Sequence, residues 1–473
     1  MANIKIGKAD IIWSYIGNFF KVAANIILLP VVLKMLSDDE LGIWYVFGSV
    51  SQIVVLLDFG FAATVARNIA YAWCGVDSLQ KDSVGPLRKG QETNFEYFKQ
   101  VLDTCRIIYL IIAGVALLIL LSAGLFYIRS LDETAIAAWI IYSIGVAVNL
   151  LYCYYTSFMR GIGAIAENNK AAVISKTTQI VFTIALLLTG MGIMGVSIAY
   201  LASGLVLGIT SKLYFEHYEN IKEKLKTVRN RSTVAEIKNM FGIIWYNASK
   251  DGLVTVANYL NTQANTLICS SVLGLATTGS YGLSVQLATI TATIAGIPFS
   301  SALPKLQEKA AQRDKVGSCR LFSGSMILFV ASYIALTGIV ILLLPVIKWL
   351  KPTLIIDVSM LLIVFSLLFI DKIYHLCASL ISTFNTLPYT KAFFISSICS
   401  VILSYILAKY TYLGLWGIML SPIIVAVAYN LWKWPTYVLN LYGTNVTGFM
   451  RDGWGYTVHI FEDNVHKLFT NKH

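Results

Sequence analysis

Long apolar runs separated by short polar stretches repeat along the whole chain. The hydrocarbon core of a bilayer is about 30 Å thick, and a helix rising 1.5 Å per residue needs roughly 20 apolar residues to cross it. The pattern predicts twelve such segments. Six fall near 11–35, 42–71, 101–127, 136–159, 171–190 and 193–215. After a charged stretch, six more fall near 240–273, 279–304, 321–347, 356–384, 391–410 and 413–438. The expected fold is therefore an all-α polytopic membrane protein. Met1–Asp10 leads directly into the first segment, which holds Lys21 and shows no cleavable signal pattern, so that segment is expected to remain. In the tail, Phe461, Val465, Leu468 and Phe469 follow helical spacing. This suits a short interfacial amphipathic helix, with a frayed cytoplasmic tail as the alternative.

The segments group into two six-helix lobes: 1–215, a cytoplasmic basic linker at 216–239, 240–438, and a cytoplasmic or interfacial tail at 439–473. The lead helix of each lobe opens with Ile-Ile-Trp (Ile11–Trp13 and Ile243–Trp245). Each lead helix then ends in a similar turn, Leu36-x5-Gly42-Ile43-Trp44 and Leu273-x5-Gly279-Ser280-Tyr281. Parallel repeats of this kind place a binding site at the lobe interface near the midplane.

Composition agrees with the pattern. Only 13% of the 473 residues are charged, against about 25% in soluble domains, and 57% are hydrophobic. A large soluble enzyme domain is excluded. So is a disulfide scaffold, because seven cysteines are spread thinly without paired spacing. The net charge of +11 is explained by placement. With the N-terminus inside, inner segments hold 26 of the 36 Lys and Arg, outer loops hold Lys34, Arg129, Lys348, Lys351 and Lys409, and five lie within segments. Both termini are thus expected inside, and nucleic acid is not a partner. Trp13, Trp245, Trp432 and Trp434 at inner ends, with Trp44, Trp139 and Trp349 at outer ends, form the expected aromatic belts.

Charged residues inside the bilayer cost about 2.5–3.5 kcal/mol each at a helix centre on insertion scales, so they ask for a reason. In the first segment Ser14, Asn18, Lys21 and Asn25 share a face; in the seventh, Asn247, Asp251, Thr255, Asn258, Thr262 and Asn265 form a stripe with Lys250 at its edge. Lys21 and Lys250 each lie roughly 15 Å from the inner end of their helices, near the midplane. In segment ten, Asp371, His375, Ser379 and Ser382 share a face beside Lys372. Segment four carries a weaker stripe of Asn149, Cys153, Thr156 and Arg160, and segment two carries Gln52, Asp58, Thr64 and Arg67. Plainer readings stand beside these. Arg67, Arg160 and Lys176 are near inner ends, where snorkelling to headgroups suffices. Lys250 with Asp371, or Lys372 with Asp251, could be a structural ion pair, and Ser/Thr stripes commonly join helices. Three deep lysines on three polar-striped helices are better explained by a hydrated cationic cavity suited to an anionic ligand. A lipid-linked sugar diphosphate supplies the phosphate, and Asn, Thr, Ser, Gln and Tyr can bond its sugar hydroxyls.

Leu57-Asp58-Phe59-Gly60-Phe61 followed by Arg67-Asn68-Ile69-Ala70 resembles the second helix of bacterial polysaccharide transporters, as do the two lead-helix turns and Pro304 ahead of a basic loop. These are lipid-linked oligosaccharide (O-antigen type) flippases of the MOP exporter superfamily, and the resemblance covers essentially the whole chain in layout. It implies a V-shaped pair of six-helix bundles in the bacterial cytoplasmic (inner) membrane. It further implies translocation of undecaprenyl-diphosphate-linked glycans to the outer leaflet, for lipopolysaccharide or related polysaccharide synthesis. A cavity lined by helices one, two, seven and eight fits Lys21, Arg67 and Lys250. One departure stands out: segment eight carries Tyr281, Ser284, Gln286 and Thr289 but no deep Arg or Lys. Its share of positive charge would have to come from Lys250 or Lys372.

On this reading Asn18, Lys21, Asn25, Arg67, Asn247, Lys250, Asn258 and Lys372 bind substrate. Asp58, Asp251, Asp371 and His375 are candidates for coupling to an H+ or Na+ gradient, and the membrane potential is a further driver. A monomer is expected, in contact with membrane lipids and other glycan-assembly proteins. A MATE-like multidrug or cation antiporter is the main alternative, disfavoured by five basic against three acidic residues within the segments. A membrane glycan polymerase or ligase is disfavoured by short outer loops and the lack of an acid/base or metal constellation. No nucleotide or zinc motif occurs, so no cofactor or metal is expected.

Overall fold

The computed structural model describes residues 8–58, 61–73, 93–228, 233–311, 314–384 and 388–470, and among them no strand occurs. Two compact units divide at Tyr259/Leu260. Unit 1 holds α1 (Lys8–Met35), α2 (Asp38–Asp58), α3 (Phe61–Trp73), α4 (Phe95–Ile119), α5 (Leu125–Leu131), α6 (Ile136–Leu151), α7 (Cys153–Ile162), α8 (Ile165–Leu188), α9 (Gly192–His217), α10 (Ile221–Lys226) and most of α11 (Val234–Thr262). Unit 2 holds α12 (Ala264–Leu273), α13 (Leu275–Ala295), α14 (Ile297–Ala311), α15 (Lys315–Leu342), α16 (Leu344–Leu350), α17 (Val358–Ser382), α18 (Thr390–Tyr410), α19 (Leu415–Val425), α20 (Leu431–Tyr442) and α21 (Val446–Thr470).

Every one of the twelve expected segments lies on a helix or a broken helix. Among the described residues nine helical stretches are long and apolar enough to cross a membrane, and α13 with the start of α14, bent by 46°, makes a tenth. The other two expected segments lie on α1 and on α11–α12.

The helices break where their residues offer the backbone another partner. In the run expected over 42–71, where residues 59–60 lie outside the described residues, Asp58 Oδ2 of α2 accepts from the Ala62 N–H of α3 at 3.4 Å. A carboxylate at a helix start satisfies one of its free N–H groups and favours the positive end of its dipole. The third run begins earlier than expected, at Phe95, because Asn94 caps it by accepting from Tyr97 N–H at 3.1 Å. It then passes through a π-turn at Leu120–Gly124. There the Trp139 ring lies where a side chain on Gly124 would stand, and its Nε1 donates to the Leu120 carbonyl at 2.9 Å. Pro422 and a second π-turn, Ala426–Asn430, interrupt the last run in the same way.

Capping also sets the turn after the first helix. Ser37 and Glu40 bond each other's backbone N–H reciprocally (2.9 and 3.2 Å), and the second Glu40 oxygen accepts from Ile193 N–H of α9 at 3.0 Å. One carboxylate thereby ties two helix starts together. At the opposite end of unit 1, Trp73, Phe95, Phe98, Phe158, Phe215 and Tyr218 form an aromatic core, with Phe98 stacked on Phe215 at 6.2 Å and edge-on to Phe158 at 5.5 Å.

Part of the linker expected at 216–239 belongs to this core. Ile221 of α10 is fully buried in it, and Lys99 donates to the Leu225 and Val228 carbonyls, both at 3.3 Å, closing the end of α10. Lys224 lies 5.6 Å over the Phe95 ring. A Thr233–Glu236 capping box then starts α11. The tail is also more ordered than a short terminal helix: α21 begins at Val446, and its first half packs on α15.

Candidate functional site

The sharpest polar constellation of unit 2 sits on α17. Asp357 opens this helix by accepting from Met360 N–H at 2.7 Å, and the apolar run that follows carries it into the unit. Asp371, Lys372, Tyr374 and His375 come about 21 Å along it, at 1.5 Å per residue. Helical spacing turns Asp371, Tyr374 and His375 to one side, as i, i+3 and i+4. Tyr374 donates its hydroxyl proton to Asp371 Oδ1 at 2.5 Å, and His375 Nε2 stands 3.5 Å from the same oxygen. Phe393 of α18, almost fully buried, sits edge-on to both Tyr374 (5.2 Å) and His375 (4.8 Å) and fixes their rings. A carboxylate, a phenol and an imidazole are thus held as one packed group.

Beside this group a cavity holds about 970 Å³ of empty space, part of it open to the surroundings. Gln263, Thr289, Asp371, Lys372, Tyr374, Ser396, Ser400 and Asn430 supply its polar wall, and Val285, Leu367, Leu368, Pro422, Val425 and Ala426 its apolar wall. The π-turn and Pro422 lie on this wall. Pro422 has no N–H to give the carbonyl four residues back, so the backbone here is less completely paired than in a regular helix. Asn430 is buried and accepts from Trp434 Nε1 at 3.0 Å, which orients its amide at the cavity edge. Among the described residues, no carboxylate lies within ion-pair distance of Lys372. The wall therefore combines one such ammonium, a carboxylate engaged by Tyr374 and His375, and several hydroxyl and amide groups. Such a wall can hold a ligand that carries both negative charge and hydroxyls.

Unit 1 carries a separate polar contact. Asp58 Oδ1 accepts from the Tyr109 hydroxyl at 2.7 Å while its other oxygen caps α3. Asp58, expected as an ion-coupling candidate, thus also bonds the Ala62 N–H of α3. Lys176, for which snorkelling was one expectation, donates to Gln179 Oε1 at 2.8 Å, one turn further along α8. Of the expected site residues, the structure brings together Asp371, Lys372 and His375. The helices α1, α3 and α11 carry Asn18, Lys21, Asn25, Arg67, Asn247, Lys250, Asp251 and Asn258, but the side chains of these eight lie outside the described residues. Tyr374, Phe393, Ser396, Ser400 and Asn430 were missed from the sequence. Only Tyr374 left a local signal, its i+3 spacing from Asp371.

Residues 8–308 match the profile of a family described as polysaccharide biosynthesis protein. The chain belongs to that family. No curated protein matches it in sequence. Among solved structures, it is similar to an inward-facing multidrug resistance MATE family transporter of the MOP superfamily. The TM-score is 0.61 at 14% identity, covering 91% of this chain and 96% of that one. An outward-facing multidrug resistance MATE family transporter gives a TM-score of 0.56 at 15% identity, covering 92% and 99%. A MOP superfamily transporter from Pyrococcus furiosus, whose description cites reverse polarity of its binding pocket, gives 0.53 at 15%, covering 93% and 100%. At these identities the likeness establishes the fold. Family and fold together bear out the resemblance to polysaccharide transporters of the MOP superfamily: this multi-pass polysaccharide biosynthesis family member has the fold of the MOP-type transporters.

Proposed function

We propose that this family member is a flippase. It carries an undecaprenyl-diphosphate-linked oligosaccharide of the O-antigen type from the inner to the outer leaflet of the bacterial cytoplasmic membrane by alternating access. The observation that carries this reading is the Lys372 ammonium on the wall of a hydroxyl- and amide-rich cavity, beside a carboxylate already held by Tyr374 and His375. That wall favours phosphate and sugar over an organic cation, which would call for a carboxylate free to pair with it. Lys21, Lys250 and Lys372 hold the diphosphate in this scheme, and Arg67 captures it at the inner mouth. Asp371 and His375 are the groups best arranged to exchange a proton with an H+ gradient; Na+ or the membrane potential are the other drivers. The protein acts as a transporter without a cofactor, alongside other glycan-assembly proteins.

The MATE-like reading rests on the shared fold, and the two make opposite predictions. Lys21→Ala, Lys250→Ala and Lys372→Ala, each with normal membrane insertion, should impair surface glycan in a flippase-null strain. Full complementation by the triple variant overturns the assignment. Drug resistance conferred by the native chain, with no rescue of surface glycan, establishes the antiporter instead.

A further inference from the structure

The tail helix α21 follows the last crossing after only three residues. Gly443, in the left-handed region (φ 65°), ends α20, and Asn445 opens α21 by accepting from Gly448 N–H at 2.8 Å. One face of α21 is packed against α15. Gly453 lies so close to the backbone of Ser323 that a Cβ there would stand 2.7 Å from its carbonyl carbon, and Gly324 lies in turn beneath the ring of Tyr456. Phe449 meets Phe322 edge-on at 5.8 Å, and Tyr442 shares a 2.8 Å hydrogen bond with Ser318. A glycine on each helix therefore lets the two approach closely, as at helix contacts within membranes.

Among the described residues, nothing covers the neighbouring face. Val446, Met450, Trp454 and Val458, one in every four residues, are 63%, 52%, 65% and 38% exposed. At about 100° per residue they span an arc of about 120° beside the docked face. Arg451 and Gly455 fall just beyond these four, at the polar edge. We propose that α21 lies in the inner-leaflet interface, clamped to α15 on one side and bedded in lipid through the Val446–Met450–Trp454–Val458 stripe. Lipid is the occupant because residues 443–445 reach at most about 10 Å, which keeps the start of α21 beside the end of α20. On α20, which α21 follows after three residues, Trp432 and Tyr437 are exposed as well. Tryptophan at this level is the usual anchor of a helix at the membrane boundary.

The test uses the full chain in nanodiscs of phosphatidylethanolamine and phosphatidylglycerol. Nitroxide labels are placed singly through Met450→Cys, Trp454→Cys and Val458→Cys, with Arg451→Cys and Gly455→Cys as controls, in a background lacking the native cysteines. Collision with oxygen should exceed collision with a water-soluble nickel chelate several-fold at the three stripe positions, and the order should reverse at the controls. Access of the chelate to the stripe overturns the proposal. Exclusion of both reagents also overturns it, because a protein partner or second copy then covers the stripe. If the cysteine-free background fails to fold, the native chain and Trp454→Phe decide the question by fluorescence. Brominated-chain lipid should quench the native chain more than the variant, and equal quenching overturns the proposal.

Discussion

Asp371 and Lys372 are adjacent in sequence and engaged in different ways. Neighbours on a helix point about 100° apart, so the carboxylate turns to Tyr374 and His375 while the ammonium joins the cavity wall, with no carboxylate at ion-pair distance among the described residues. Two substitutions separate the roles. Lys372→Ala should lower surface glycan with little change in thermal stability, since it removes no described ion pair; Lys372→Arg should retain part of the export. Tyr374→Phe should instead destabilise the protein by about 1–3 kcal/mol, the range for removing a hydrogen bond to a half-buried carboxyl group. A detergent unfolding series on both variants distinguishes these outcomes. The i, i+4 placement of Asp371 and His375 was legible because helical periodicity is a property of the chain itself. Phe393 and Asn430 were not, because α18 and the π-turn after α19 meet α17 only through tertiary packing.

At the scale of the element, local capping decides where helices start and stop. Asp58 illustrates such local bonding within an apolar run: it accepts from Ala62 N–H and from the Tyr109 hydroxyl. Asp58→Asn keeps a hydrogen-bonding oxygen and should preserve these contacts, whereas Asp58→Leu should destabilise unit 1 and lower the amount of folded protein, read by fluorescence size exclusion. Asp314 offers a pH test. It opens α15 by accepting from Gly317 N–H at 2.8 Å and pairs with Lys309 at 2.7 Å. Both contacts hold its carboxyl below the usual carboxylate range, the Lys309 hydrogen bond most. A depressed carboxyl stabilises the fold above its unfolded pKa, and this contribution is lost as pH falls through the folded value. Amide exchange in the first turn of α15 should therefore quicken below about pH 4 relative to the rest of the helix. In Asp314→Asn that extra quickening should vanish.

For the whole molecule, positive charge sets orientation and packing sets the units. Twelve crossings with basic inner loops, as expected from the sequence, would place both ends inside. Periplasmic reporter enzymes fused to either terminus should be inactive and cytoplasmic reporters active, and the opposite result at one end removes a crossing. The polar interruption at 216–239 suggested a lobe boundary there, whereas the compact units divide further on, at Tyr259/Leu260 within α11. Residues 216–228 read as a charged connector, yet α10 buries Ile221 in the aromatic core of unit 1 and Lys99 closes its end. Ile221→Asp should release this segment, seen as faster proteolysis between 220 and 228, with glycan export reduced.

The chain alone determined that this protein is helical, membrane-spanning, and divided into two runs of six apolar segments. Bilayer thickness, the cost of unpaired backbone in lipid and the bias of basic residues all act on local composition. It also carried the family resemblance through short motifs such as Leu57–Phe61. Tertiary structure alone decided which polar groups meet. A hydrogen bond such as Tyr109 to Asp58, 51 residues apart, or a cavity wall drawn from several helices, leaves no periodic trace. It depends on how side chains from distant segments pack, and that is settled only when the helices come together.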